Sequence, residues 1–260
     1  MEQKQTNTLQ NQPVDNKPLK DWLFKNVAKP ALLSYFKLLN KLCFFAAGGN
    51  KRPIFYDVKQ HYPSLDFLEK NVEIIKAEFE QVLKSKANLP RYHELDDIQQ
   101  EISQTTQNDW KVFMLEVAGE NADIGNRCPK TRELLQQIPH VNQAFFSILD
   151  PKKSVPAHDG PYCGYLRYHL GLKVPKNKPP KIRIADQYHT WQQDKGVLFD
   201  DSYDHEVIND SDEIRAVLLV DVLRPMPNWL HRLNLGWTRF VGRRYSQRLH
   251  GRIQQNDYTL

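Results

Sequence analysis

GYLRYHLGL, residues Gly164–Leu172, alternates with period two: Tyr165, Arg167 and His169 fall on one face of an extended strand, and Leu166, Tyr168 and Leu170 fall on the other. The second face predicts a core contact. The first predicts a lined interior, because an arginine beside a histidine is costly to desolvate unless the pair meets an anion such as a small dicarboxylate. Comparable runs recur from Trp110 onward as WKVFMLEV, NQAFFSIL, KIRIAD, GVLFD and IRAVLLVDVL, separated by turns of Pro, Gly, Asn and Asp. Many short strands without alternating helices predict an antiparallel barrel or jelly roll rather than a Rossmann sheet. No G-x-G-x-x-G, Walker loop or internal repeat is present.

Bulk properties narrow the function. The chain has 260 residues and 40% hydrophobic content, enough for one catalytic domain with extensions. Its 36 Lys and Arg against 31 Asp and Glu give +5, too mild a balance for a nucleic-acid binder, so no nucleic-acid partner is expected. Cys43, Cys128 and Cys163 form no C-x-x-C pair, which argues against a disulfide framework or zinc ribbon and for a reducing, cytoplasmic setting. The polar opening MEQKQTNTLQNQPVDN lacks the order of a secretory signal. The expected organisation is a disordered lead-in over 1–20, a helical extension packing on the core over 21–105, a jelly-roll domain over 106–226 and a basic amphipathic tail over 227–260.

Three segments predict helices. The run PALLSYFKLLNKLCFFAAGG carries Lys37 and Lys41 and is short for a membrane span, so it is expected to cover the core ahead of lying in a membrane interface. In YPSLDFLEKNVEIIKAEFEQVLKSKANLP, Ser64 is the expected N-cap, and Phe67, Val72, Ile75, Phe79 and Val82 recur at helical spacing. Another helix is expected from Pro129. In the tail, Leu230, Leu233, Trp237 and Val241 form an apolar stripe, and Arg232, Arg239 and Arg243 line another face. Contact with an anionic membrane and packing on the barrel both stay open there, with Gly236 and Gly242 counting against a helix.

The chemistry concentrates in two stretches. AHDGP, residues 157–161, sets His158 beside Asp159, one residue short of the His-x-Asp spacing of a mononuclear iron site. Strand parity turns Asp159 away from whatever His158 faces. LFDDSYDHEVINDSDEIRAVLLVDV holds His205 and, ten residues later, Arg215, a residue type suited to bidentate grip on a carboxylate. Taken singly, these residues have plain structural readings: core histidines, an ion pair at Arg167, and a solvated turn at Asp200, Asp201 and Asp204. A non-catalytic binding module, a two-histidine zinc hydrolase and a Cys163 nucleophile are the competing classes. The zinc site leaves both arginines without a role, and Cys163 has no base and orienter.

The segments CPKTRELL, FSIL, HDGP, LRYHLGL, KIRIAD, TW, GVLFDDSYDHEV and VLLVDVLRP, in this order from about Cys128 to Pro225, resemble the aspartyl/asparaginyl β-hydroxylase family of Fe(II)- and 2-oxoglutarate-dependent oxygenases, which includes lipid A 2-hydroxylases. The resemblance implies a double-stranded β-helix core, of the jelly-roll or cupin-like kind, with flanking N- and C-terminal helices. It implies His158 and His205 as iron ligands, with Gly160 at the usual acidic position. It further implies Ser147 and Arg215 for the distal carboxylate of 2-oxoglutarate, Arg167 and His169 for the end near the metal, and Asp201 beside a metal-bound water. Fe(II), 2-oxoglutarate and O2 would then support hydroxylation of a C–H bond, with succinate and CO2 as co-products. The implied substrate is a peptidyl Asp or Asn side chain or related amino acid, or alternatively a lipid acyl chain at the inner membrane face, reached through peripheral contact of the amphipathic termini. Tyr165 replaces an arginine that helps the animal peptide hydroxylases hold an acidic substrate, and the helical-repeat domain of those enzymes is not found in this sequence.

Overall fold

A central strand buried along its whole length organises the molecule, and a computed structural model describes it across residues 24–97, 100–105, 108–123 and 126–255. The expected lead-in over 1–20 lies outside the described residues. The strands are β1 (Phe55–Tyr56), β2 (Trp110–Val117), β3 (Glu120–Asn121), β4 (Val141–Leu149), β5 (Val155–Asp159), β6 (Tyr165–Lys173), β7 (Lys181–Ile184), β8 (Gln187–Thr190), β9 (Gly196–Phe199), β10 (Asp204–Ile208) and β11 (Arg215–Leu223). They form a seven-stranded sheet in the order β1-β9-β6-β11-β4-β2-β3 and a four-stranded sheet in the order β5-β10-β7-β8. Every pairing is antiparallel. From β4 to β11 the chain crosses repeatedly between the two sheets, which is the winding of a jelly roll. The jelly roll read from the strand runs, and the double-stranded β-helix that the family resemblance implied, are therefore the observed core, with helices on its flanks.

Parity sorts the side chains as the sequence predicts. Leu166, Tyr168 and Leu170 of β6 join Phe146, Ile148, Leu218 and Val220 on the outer face of the large sheet. Val72, Ile75, Phe79 and Val82 of the helix Val72–Lys84 cover that face, with the Phe79 and Phe146 rings 5.2 Å apart. Between the sheets lie Leu149, Val155, Ile182, Ile184, Trp191, Val197, Phe199, Val207 and Val217. β11 is paired on both sides and covered on both faces, which is why it reads as an almost unbroken apolar run.

Two helix expectations need correction. Ser64 does not cap a single long helix; it lies in a short 3-10 turn, Pro63–Leu65, and the helix breaks at Asn71 into Asp66–Lys70 and Val72–Lys84. The Asn71 side-chain amide donates to the Phe67 carbonyl at 2.8 Å, and its φ of −110° leaves the helical range. The tail is one continuous helix, Asn228–Gln255, although Gly236 and Gly242 counted against a helix there. Leu230, Asn234, Thr238, Gly242, Ser246, Leu249 and Ile253 face inward, whereas Leu233 and Val241 are each 41% exposed. Small residues win this face because the helix lies close to the turn after β2. A Cβ at Gly242 would come within 2.2 Å of the Ala118 Cβ, whereas Gly236 faces open space.

The chain divides into two compact units, 1–39 and 40–260. In the first, a π-helical turn, Phe24–Ala28, leads into the helix Lys29–Ala46, on which Leu33 and Leu38 are exposed. In the second, Asn40, further along the same helix, accepts a hydrogen bond from the Cys163 backbone at 2.8 Å. No helix among the described residues is long and apolar enough to cross a membrane. Removing the Phe79 ring would leave a cavity between helix and sheet, so Phe79→Ala is expected to lose about 3–5 kcal/mol. Urea unfolding checks this, and a loss under about 1 kcal/mol would show that the helix does not close the core.

Candidate active site

Five strands, β4, β5, β6, β10 and β11, bring the predicted site residues together between the sheets. His158 of β5 and His205 of β10 are direct partners across the ladder, with ring centroids 4.2 Å apart. The same local device aims both rings. His158 Nδ1 donates to the Pro156 carbonyl at 2.8 Å, and His205 Nδ1 donates to the Tyr203 carbonyl at 2.8 Å. A carbonyl only accepts, so each Nδ1 carries the proton and each Nε2 keeps a free lone pair. Burial lowers the pKa of both rings, and for His205 the neighbouring His158 adds to the effect, taking it to about 3. Both imidazoles are therefore neutral near pH 7, the state a metal requires.

A third protein ligand has no room. Gly160 N–H donates to the Asp201 carbonyl at 3.1 Å, and a Cβ at Gly160 would fall 2.3 Å from that oxygen. No carboxylate could replace this glycine without moving the Asp201 backbone. Asp159 is exposed at the end of β5. Among the described residues no cluster of three or more His, Cys, Asp or Glu side chains is placed to hold a metal.

Deeper in the same slot lie Ser147, His169, Arg215 and Trp191. Arg215 is 2% exposed, its guanidinium carbon lies 3.8 Å from the centre of the Trp191 ring, and its Nε and Nη2 find no hydrogen-bond partner among the described residues. No ion pair with a described carboxylate relieves it, and burial pulls its pKa down to about 9. His169 is stacked on Trp191, and both of its ring nitrogens are unpartnered. Burial first, then the Arg215 charge, depresses its basicity far below the usual range. Ser147 accepts from Trp110 Nε1 at 3.0 Å. A buried guanidinium beside a neutral imidazole is complementary to an anionic, hydrogen-bonding ligand.

Arg167 is differently placed. It is bidentate to Asp221, with Nε to Oδ1 at 2.8 Å and Nη2 to Oδ2 at 2.9 Å, and its Nη1 reaches Asp201 Oδ2 at 3.0 Å. Gln143 donates to Asp221 at 2.7 Å, and Tyr165 donates to Asp201 at 3.2 Å. One cation thus serves two acids, and Asp221 takes the better geometry. Asp201 is 1% exposed with Oδ1 unpartnered, so desolvation outweighs Arg167 and raises its pKa to about 7. The arginine lines both the inner slot and an outer cavity of about 400 Å³ bordered by Tyr92, Trp110, Tyr165 and Tyr245.

Some of this was not visible in the sequence. Asp200 and Asp201 are not a solvated turn: Asp200 is fully buried between Arg52 at 2.9 Å and Arg224 at 2.6 Å, which clamps the segment leading to His205. Asp204 is the exposed member, paired with Arg183. Trp191 and Asp221 were also missed. A lone Asp inside the apolar run of β11, in register with Arg167, was the available signal for Asp221.

Two neutral histidines paired across one ladder, with a buried arginine behind them, thus line a polar slot between the sheets of a jelly roll. The family model described as aspartyl/asparaginyl beta-hydroxylase matches residues 69–225, and the chain belongs to that family. It is 40% identical over 184 residues to the ornithine lipid ester-linked acyl 2-hydroxylase of Rhizobium tropici, covering 70% of this chain and 64% of that protein. It is 41% identical over 125 residues to the human aspartyl/asparaginyl beta-hydroxylase, covering 45% of this chain and 16% of the relative. The chain thus spans less than two thirds of the length of either relative. Among solved structures, a Pseudomonas putida prolyl-4-hydroxylase aligns with a TM-score of 0.40 at 12% identity, over 59% of this chain and 87% of its own.

The raised Asp201 pKa has a stability consequence. Between the ordinary 3.8 and about 7 the folded state holds a proton that the unfolded chain releases, so stability falls as pH rises through that window. Asp201→Asn removes the titration. Its melting temperature relative to the parent, both metal-free, is expected to rise between about pH 5 and about pH 8. A difference that stays constant across that range would show that Asp201 is ionised throughout.

Proposed function

We propose that the protein is an Fe(II)- and 2-oxoglutarate-dependent hydroxylase of an aliphatic C–H bond, and that a lipid acyl chain is the substrate it suits best. The observation that carries the cofactor assignment is Arg215, buried, unpaired and in line behind two imidazoles whose Nε2 atoms are free. The donor set fits the groups. His158 and His205 would hold the iron, Arg215 and Ser147 would take the distal carboxylate of 2-oxoglutarate, and His169 and Arg167 would lie toward its other end. When bound, Fe(II) and 2-oxoglutarate would supply O2 activation, converting the keto acid to succinate and CO2 and placing one oxygen atom on the substrate carbon.

The chain's own residues have separable tasks. The Pro156 and Tyr203 carbonyls fix the tautomer and direction of the two histidines. Trp191 holds the guanidinium plane of Arg215 and fills space that water would otherwise take. Asp201, tethered by Arg167 and Tyr165, presents a free Oδ1 that can accept a hydrogen bond from a water beside the histidines. Tyr92, Trp110, Tyr165 and Tyr245 give the outer cavity the aromatic walls that suit an alkyl chain.

The longer match to a lipid acyl hydroxylase, over 70% of the chain, favours the lipid reading, as does Tyr165 on the substrate side. A peptidyl Asp or Asn side chain is the second reading, favoured by the match to the human relative. Three free, buried cysteines suit a reducing compartment, so the reading places the protein in the cytoplasm. Mass spectrometry separates the substrates. Lipid extracts from cells producing the parent should gain one oxygen on an acyl chain relative to cells producing His205→Ala. Unchanged lipids together with hydroxylation of an acidic peptide would overturn the lipid reading and leave the oxygenase intact.

Arg215→Met gives a paired prediction. Removing an uncompensated buried charge is expected to raise metal-free stability by about 1–4 kcal/mol while abolishing thermal stabilisation by 2-oxoglutarate. A variant that melts lower and still responds to 2-oxoglutarate would contradict the assignment.

A further inference from the structure

The C-terminal helix Asn228–Gln255 packs Leu230, Leu249 and Ile253 towards its two ends and Asn234, Thr238, Gly242 and Ser246 between them, while Trp229 is 57% exposed and Leu233, Phe240 and Val241 are each 41% exposed. Along its middle turns the larger apolar groups therefore face outward, against the distribution expected of a helix stabilised only by packing on a core. The outer face is also strongly cationic. The helix contains six arginines and no Asp or Glu. Arg232, Arg239 and Arg243, at i, i+7 and i+11, are exposed and make no ion pair with a described residue, and Arg244 lies 4.4 Å from the Phe240 ring centre. Arg252, in the last turn, is the arginine of this helix paired to a described acid, Asp97.

Large apolar groups interleaved with arginines on one exposed face match a surface that is anionic outside and hydrocarbon beneath. We propose that this helix docks the protein on an anionic lipid bilayer, with Trp229, Leu233 and Phe240 entering the acyl boundary and Arg232, Arg239 and Arg243 meeting phosphate groups. The helix is tied to the catalytic region on its other side. Asn234 accepts from Tyr162 Oη at 2.7 Å and donates to the Gly164 carbonyl at 2.6 Å, and Tyr245 borders the outer cavity. The helix that would dock is thus the same element that walls the outer cavity at Tyr245. The surface goes beyond the catalytic reading and does not require a lipid substrate.

Co-sedimentation of the full chain with vesicles tests this. Vesicles of phosphatidylcholine containing phosphatidylglycerol should bind the parent, pure phosphatidylcholine vesicles should bind it far less, and added salt should weaken binding. Arg232→Gln, Arg239→Gln and Arg243→Gln together should lower partitioning roughly a hundredfold. Trp229→Ser with Phe240→Ser should weaken it while keeping the salt dependence. All these positions are exposed, and melting curves matching the parent's establish that the variants fold. Binding to neither vesicle, or binding that the variants leave unchanged, would overturn the proposal. A concentration-dependent dimer abolished by Trp229→Ser and Phe240→Ser would overturn it in favour of a second copy of this chain. Vesicle binding without acyl hydroxylation would support the docking surface and redirect only the substrate assignment.

Discussion

The architecture around the site depends on one costly arrangement: the Arg215 guanidinium is buried between two sheets, stacked on Trp191, with two of its nitrogens unpartnered. A lone buried charge disfavours folding unless function retains it. Everything near it prepares for an anion. His169, which could have been a competing cation, is neutral because burial and the Arg215 charge both suppress its protonation. The neighbouring acids, Asp201 and Asp221, are held by Arg167 and so do not neutralise Arg215.

The jelly roll supplies the positions. Arg167 and His169 on β6 and Arg215 on β11 come from paired strands of the large sheet, and His158 and His205 from paired strands of the small one. The two sheets face each other across the slot, so the paired histidines and the buried arginine approach from opposite walls. Gly160 completes the arrangement by letting the Asp201 carbonyl come close, so that any side chain there would collide with the backbone leading to His205.

Period-two alternation made β6 legible, because one face had to be core and the other had to be lined. Arg215 was legible as a charge at the head of an apolar strand. Composition misled at Asp200 and Asp201, where an acidic run looks like solvent-facing turn, and only tertiary partners such as Arg52 and Arg224 reveal the burial. On the C-terminal helix the sequence marked Leu230, Leu233, Trp237 and Val241 as one apolar stripe and left open what it meets. Leu230 is buried, Leu233 and Val241 stay exposed, and the close approach to Ala118 requires the glycine at 242 on the packed face. Trp191 carried no periodic signal, since its role comes from the planes of Arg215 and His169 above it.

On the proposed function, His158, His205 and Arg215 hold iron and 2-oxoglutarate in one slot. Anaerobic addition of 2-oxoglutarate to the Fe(II)-loaded protein, followed by visible spectroscopy and then by succinate counting after exposure to oxygen, tests it most directly. The expected result is a metal-to-ligand charge-transfer band and succinate formation in the parent, with both lost in His205→Ala. A parent protein that shows no such band and forms no succinate would contradict the claim.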